Sequence, residues 1–207
     1  FHYFVSKTSF DIEGLGREVV DRLLKHKLLD SYADIFSLTY DDLIKLPRFA
    51  DKSVKNLLEA INRARRVTLP RLLVALSIDG VGEETAELLA NNFRALAKIQ
   101  SINQAEFEAV AGIGPIVAKS IYDWFRDRGN QTMLKKLLAE IKIQSVKIEM
   151  VVGALTGRTF VFTGTLPTLP RAEAKSLVKK VGGRVGNTIS RQTNFLVAGT
   201  DPGEKLA

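Results

Sequence analysis

The chain has 207 residues, 30 Lys and Arg against 23 Asp and Glu, a net charge of +7 and no cysteine. The length allows one or two domains with real cores, and 45% hydrophobic with 26% charged residues is a globular composition. The absence of cysteine excludes disulfides and cysteine-based zinc sites and is compatible with a reducing cytosol, no apolar run approaches the roughly 20 residues of a membrane span, and the N-terminus lacks a signal-peptide layout.

Residues 1–10 form an aromatic, Ser/Thr-containing lead-in, expected to be extended, and Phe1-His2-Tyr3-Phe4 reads as a cut into a longer chain. His2 and His26 have no second ligand at metal spacing and read as surface residues. Asp11 is the expected N-cap of a helix that follows the Gly14-Leu15-Gly16 turn to about Leu29, and Asp30 to Phe36 a short connecting helix. Thr39 and Asp42 have the spacing of a capping box before a helix that ends at Pro47. The next helix is expected over about Lys52 to Arg66. Its terminal cluster Arg63-Ala64-Arg65-Arg66 reads as a solvated helix end or as a cationic surface for a nucleic-acid backbone. Helices over Leu72 to Leu76 and Thr85 to Phe93 flank Gly80-Val81-Gly82, and a fourth unit spans about Gln104 to Arg128 around Gly112-Ile113-Gly114. Trp124 and Phe125 read as core aromatics or as a base-stacking pair. Residues 130–143 form a last amphipathic helix, and 144–155 a linker in which Val146 to Met150 alternates like a strand.

The four turns are copies in one register. Centred on Leu15, Phe49, Val81 and Ile113, they are 34, 32 and 32 residues apart. Each has an apolar residue three positions before the centre (Ile12, Leu46, Ile78, Val110) and another eight after it (Leu23, Leu57, Leu89, Ile121). A turn that closes one helix on an αL glycine and opens the next aims free N–H groups and the positive end of a helix dipole outward. Such an end accepts a phosphate without reading bases.

These copies resemble the helix-hairpin-helix module, and the four-copy array beginning Ile12-Glu13-Gly14-Leu15-Gly16 resembles the C-terminal half of bacterial NAD-dependent DNA ligases. The second copy departs from the pattern, with Arg48 and Ala50 in place of glycines. The resemblance implies sequence-independent binding of nicked duplex DNA across the minor groove. The expected contacts are the main-chain donors at Gly14, Gly16, Gly80, Gly82, Gly112 and Gly114, with Arg17, Arg48, Lys52 and Lys119 as nearby cations. Glu83 and Glu84 in the first turn of the third unit's second helix would repel a phosphate, which makes that copy a weaker binder than the fourth. Charge does not carry the reading, because residues 1–153 hold 22 basic against 20 acidic side chains and residues 154–207 hold 8 against 3.

The architecture changes after Gly153. Arg158 to Phe162 reads as a strand, Thr163-Gly164-Thr165 as a turn, Arg171 to Val181 as a helix, and Arg184-Val185 and Asn194 to Ala198 as further strands. That order argues for a parallel sheet with buried strands. Phe162-Thr163-Gly164, Gly182-Gly183 and Thr193 to Val197 resemble a BRCT domain, expected over 156–207 and C-terminally incomplete. BRCT-like domains can bind a phosphate through residues that here would be Thr163, Gly164 and Lys205; others serve as protein-contact modules.

The fold expected is thus mainly α: four tandem helix-hairpin-helix motifs over 11–143, then a truncated α/β domain. A nucleotidyl-transfer ligase needs a nucleophilic lysine in a Lys-x-Asp-Gly setting, and Ser77-Ile78-Asp79-Gly80 has serine at that position. No catalytic residue, metal or cofactor is expected in this segment. The resemblance places NAD, magnesium and adenylation in a preceding half of the parent enzyme, and a structural zinc in a four-cysteine module just before residue 1. The same reading expects a monomeric, cytoplasmic bacterial protein with no membrane contact, and protein partners for the BRCT segment. Two other readings stay open: a BRCT scaffold with structural hairpins, and the DNA-binding tail of a repair nuclease.

Overall fold

The structure is a computed structural model that describes residues 1–144, 153–186, 189 and 193–200. The chain divides into two compact units, Phe1–Val146 and Lys147–Ala207.

In the first unit the helices are α1 (Arg17–Lys25), α2 (Asp34–Ser37), α3 (Tyr40–Ile44), α4 (Asp51–Ala64), α5 (Leu69–Ala75), α6 (Glu83–Phe93), α7 (Leu96–Ser101), α8 (Gln104–Glu108), α9 (Pro115–Arg126) and α10 (Arg128–Glu140). The register positions build its core. Ile12, Leu46, Ile78 and Val110 are buried before the turns, and Leu23, Leu57, Leu89 and Ile121 are buried one helix face later. Phe125 is buried and Trp124 packs against the same core, which decides that pair for packing over base stacking.

Local chemistry sets the helix ends. At α3 the Thr39 hydroxyl accepts from the Asp42 amide while the Asp42 carboxylate accepts from the Thr39 amide, a capping box worth about 1 kcal/mol. The Thr39 hydroxyl also donates to the Asp42 carboxylate at 2.6 Å, and this bond, with the one from the Thr39 amide, holds the Asp42 carboxyl below the usual carboxylate range. The helix stops at Ile44, short of Pro47. The helix α1 ends at Lys25, not Leu29, because Lys27 turns to φ 56 and the Leu28 amide donates to the Leu23 carbonyl, a Schellman closure without glycine. The connecting helix begins only at Asp34, whose carboxylate accepts from the Asp30 and Ser31 amides. Burial pushes the Asp34 carboxyl up, and those amides outweigh it, so its pKa lies below the ordinary value.

The lead-in is not extended. Residues 1–10 form successive turns and Phe4 and Phe10 are buried, stacked at 4.2 Å, with Phe4 also stacked on Tyr32 at 4.3 Å. Arg71 donates to the Ser9 and Lys7 carbonyls and fastens this segment to α5. Asp11 is not an N-cap: it sits at φ 52, 3.7 Å from Arg71, and Gly16 caps α1.

Of the cluster at 63–66, Arg63 and Arg66 are exposed, as expected of a solvated helix end, and Arg65 packs. The helix α4 ends at Ala64, and Arg66–Thr68 forms a strand, β1, that pairs in parallel with β2 (Lys142–Gln144) after α10. Arg65 clasps the junction, donating to the Glu140 carbonyl at 2.9 Å, to its carboxylate at 2.8 Å and to the Phe36 carbonyl. The strand-like alternation expected at 146–150 lies outside the described residues.

The second unit has a three-stranded parallel sheet in the order β4 (Arg184–Gly186), β3 (Thr159–Thr163), β5 (Phe195–Ala198), with α11 (Arg171–Lys180) crossing between β3 and β4. Only the central strand is well buried; Phe195 on β5 is exposed, so the expectation of buried strands holds for β3 alone.

Candidate nucleic-acid interface

The four turns share one backbone. The residue before each centre has positive φ: Gly14 at 84°, Arg48 at 67°, Gly80 at 78° and Gly112 at 96°. The amide of each centre, Leu15, Phe49, Val81 and Ile113, donates to the carbonyl three residues back, at 2.9 to 3.3 Å. The residue after each centre, Gly16, Ala50, Gly82 or Gly114, is extended and caps the following helix, and its carbonyl takes the first helical bond, from Val20, Val54, Ala86 and Ala118. The second copy keeps this geometry without glycine, so Arg48 and Ala50 alter the side chains of the hairpin and leave its path unchanged.

The first copy differs on its entry side. Residues 1–13 contain no helix, whereas α3, α5 and α8 lead into the other three turns. Only the second half of the helix–turn–helix pattern is present there.

The two glycines of each turn do different jobs. At the first position the fold demands them: φ is positive, and a Cβ on Gly80 would lie 2.7 Å from Val117 Cγ2, one on Gly112 3.0 Å from Leu88 Cδ1. These contacts cross between neighbouring copies, so the third and fourth hairpins interlock through their own turn glycines. At the second position nothing in the fold requires glycine. Gly16, Gly82 and Gly114 have ordinary φ values of −74°, −90° and −80°, and a Cβ on any of them meets nothing within 4 Å. The open space lies beside the free amides of a helix start.

Side chains differ sharply among the tips. Arg17, Arg48 and Lys52 are exposed at the first two turns and form no ion pair among the described residues. Asp51, the one acid in the first turn of α4, is engaged by Lys55 at 2.8 Å and by the Tyr40 hydroxyl at 3.0 Å, which lowers its pKa and raises those of its partners. A groove between these two turns is lined by Arg22, Arg48, Ser53, Asn56, Arg63 and Glu13, with Arg22 anchored on the Pro47 carbonyl at 2.8 Å. The third turn carries Asp79, Glu83 and Glu84 and no cation. The fourth has no charge from Ala109 to Ala118, and Lys119, expected to face a backbone, is paired with Asp123.

In the second unit Thr163 is buried at the end of β3, so a phosphate reaches it only if the residues covering it move. A Cβ on Gly164, at φ 72, would lie 2.5 Å from the Thr200 carbonyl oxygen, and Thr165 and Thr200 exchange two backbone hydrogen bonds beside it. Gly164 is therefore required by strand closure. Lys205 lies outside the described residues. Among the described residues no group of His, Asp and Glu is placed to hold a metal, and no helix is long and apolar enough to cross a membrane.

Comparison with known families agrees with this division. Residues 10–63 match the model of the SAM-like helix-hairpin-helix tandem, 71–134 that of the helix-hairpin-helix motif, and 151–207 that of the BRCA1 C-terminal (BRCT) domain. The break between the first two matches falls at β1, between the second and third hairpins. The chain is therefore an array of helix-hairpin-helix motifs followed by a BRCT domain with a small parallel sheet, motifs that point to DNA binding by the first part and a scaffold role for the second.

Proposed function

We infer that this chain grips duplex DNA through its phosphate backbone, as the non-catalytic part of an NAD-dependent DNA ligase that seals nicks in replication and repair. The observation that carries the DNA reading is the second glycine of the turns. Three of four copies keep a residue without a side chain where the fold would accept one, beside the free amides of a helix start. A polyanionic backbone needs that clearance to reach main-chain donors. The ligase reading rests on the order of parts, two hairpin pairs and then a BRCT domain, which fits the C-terminal region of such enzymes. In that setting NAD, magnesium and a structural zinc belong to other parts of the enzyme, the work is done in the bacterial cytoplasm, and the chain acts as a monomer on nicked duplex. For the second unit, the exposed Leu177, Val181 and Phe195 favour contact with protein.

The test is binding of the chain to nicked and intact duplex across a salt series. With about six phosphates engaged, affinity falls about a thousandfold between 50 and 200 mM salt. Gly16→Val and Gly114→Val keep folded stability within about 1 kcal/mol of the parent and bind duplex about tenfold more weakly, the loss of roughly one charge-assisted contact. If the parent chain binds no duplex at moderate salt, the array is a packing scaffold and the BRCT domain carries the function. Addition of the chain to a separate catalytic half of such a ligase is expected to raise nick sealing, and no increase would sink the ligase assignment while leaving DNA binding intact.

A further inference from the structure

The first turn of the helix offers the same register position in each copy, three residues past the centre. It holds Glu18, Lys52 and Glu84 in the first three hairpins and Ile116 in the fourth. Ile116 is 84% exposed, the most exposed large apolar side chain among the described residues; the next, Ile189, is at 49%. It follows Pro115, which fixes the start of α9, and it projects from a tip that carries no charge over ten residues, from Ala109 to Ala118. A side chain left 84% exposed by its own fold, at a position that is charged in every sister copy, contributes little to folding there. Its surroundings also make it a poor phosphate contact, because the nearest cation along the chain, Lys119, is held by Asp123.

We propose that Ile116 is an apolar probe that enters the minor groove of the duplex while the amides of its own hairpin rest on the flanking phosphates. The proposal rests on the DNA-binding reading above. Minor-groove proteins commonly combine backbone contacts with an apolar side chain set against sugars and base edges, and its contribution is insensitive to salt because it displaces no counterion. The first two hairpins supply exposed cations, Arg17, Arg48 and Lys52, and the fourth supplies this contact instead.

The experiment measures duplex affinity of the full chain, Ile116→Gln and Ile116→Leu from 50 to 200 mM salt, with thermal unfolding of each. The expected result is that Ile116→Gln binds about tenfold more weakly at every salt concentration with an unchanged salt slope, a loss of the size set by removing one exposed aliphatic contact. Ile116→Leu retains the affinity, and all three proteins unfold at the same temperature. On duplex whose minor groove is filled by a polyamide, the difference between Ile116→Gln and the parent disappears. Equal binding by Ile116→Gln overturns the proposal and leaves the phosphate grip standing; a flattened slope overturns it too, because the side chain then only seats the helix end on phosphates. A difference that survives the polyamide places the contact outside the minor groove and also overturns it. Failure of the parent chain to bind any duplex removes the DNA reading and this proposal together.

Discussion

The two hairpin pairs, 10–63 and 71–134, have the same turn and different surfaces. In both, a positive-φ residue precedes a mostly buried centre and an extended residue caps the next helix. The first pair presents Arg17, Arg48 and Lys52 at its tips beside Glu13, Glu18 and Asp51; the second presents Asp79, Glu83 and Glu84 on one tip and an uncharged surface with Ile116 on the other. The contrast separates two layers of information. Apolar residues at minus three, zero and plus eight specify the path of the chain, and two or three residues at the helix start specify what the path can meet. Within the second pair the third and fourth hairpins hold each other, since Gly80 and Gly112 each face a side chain of the other copy.

The largest expected effect tests that interlock. Gly80→Val forces a β-branched residue into φ 78 and against Val117, and should cost about 3 kcal/mol of stability, read by denaturant unfolding. Gly82→Val, two residues on, has open space and should cost under about 1 kcal/mol. Equal costs would erase the distinction between the two glycines. Next in size is the charge of the third tip. Reversal of Glu83 and Glu84 to Lys should raise duplex affinity and steepen the dependence of log K on log salt by about 0.9 for each phosphate recruited. An unchanged slope would mean that this hairpin faces away from DNA whatever its charge.

The smallest effect sharpens the first pair. The folded pKa of Asp42 lies below its ordinary value because Thr39 donates to it, so its contribution is present above about pH 4 and is lost as pH falls through the lowered value. Asp42→Asn should therefore reduce the melting temperature at pH 7 by a few degrees, about 1 kcal/mol, and by less at pH 3. A difference that does not shrink on acidification would assign the effect to the amide group itself.

The repeat register made the cores of the hairpins legible in the sequence, because helical spacing behind a fixed turn recurs at Leu15, Phe49, Val81 and Ile113. The β-α-β-β order of the second unit was legible by another signal, strand composition and the Gly182-Gly183 stop. What escaped depends on contacts far apart in the chain. The strands β1 and β2 are three residues each and pair across more than seventy positions, so no local pattern marks them. Arg65 looks like any cation at a helix end until Glu140 and Phe36 are beside it. The lead-in enters the core through rings at Tyr32 and Phe36. The short α7 (Leu96–Ser101) was not expected, although Leu96 and Ile99 at helical spacing were its signal. At the site, both glycines of a turn are one letter, and only φ and the neighbours of a Cβ separate the one the fold requires from the one it does not.

The pairing of β1 with β2 has a consequence for how such a chain can be rearranged. Residues 66 and 142 are strand partners, and the Lys142 amide donates to the Arg65 carbonyl at 2.7 Å, so everything from 69 to 141 leaves and returns at one point. The second hairpin pair is a closed excursion. A segment whose ends meet can be excised, duplicated or replaced by another of the same kind without spanning a gap. The second pair is in this sense a cassette, and the parallel ribbon is the socket into which it plugs.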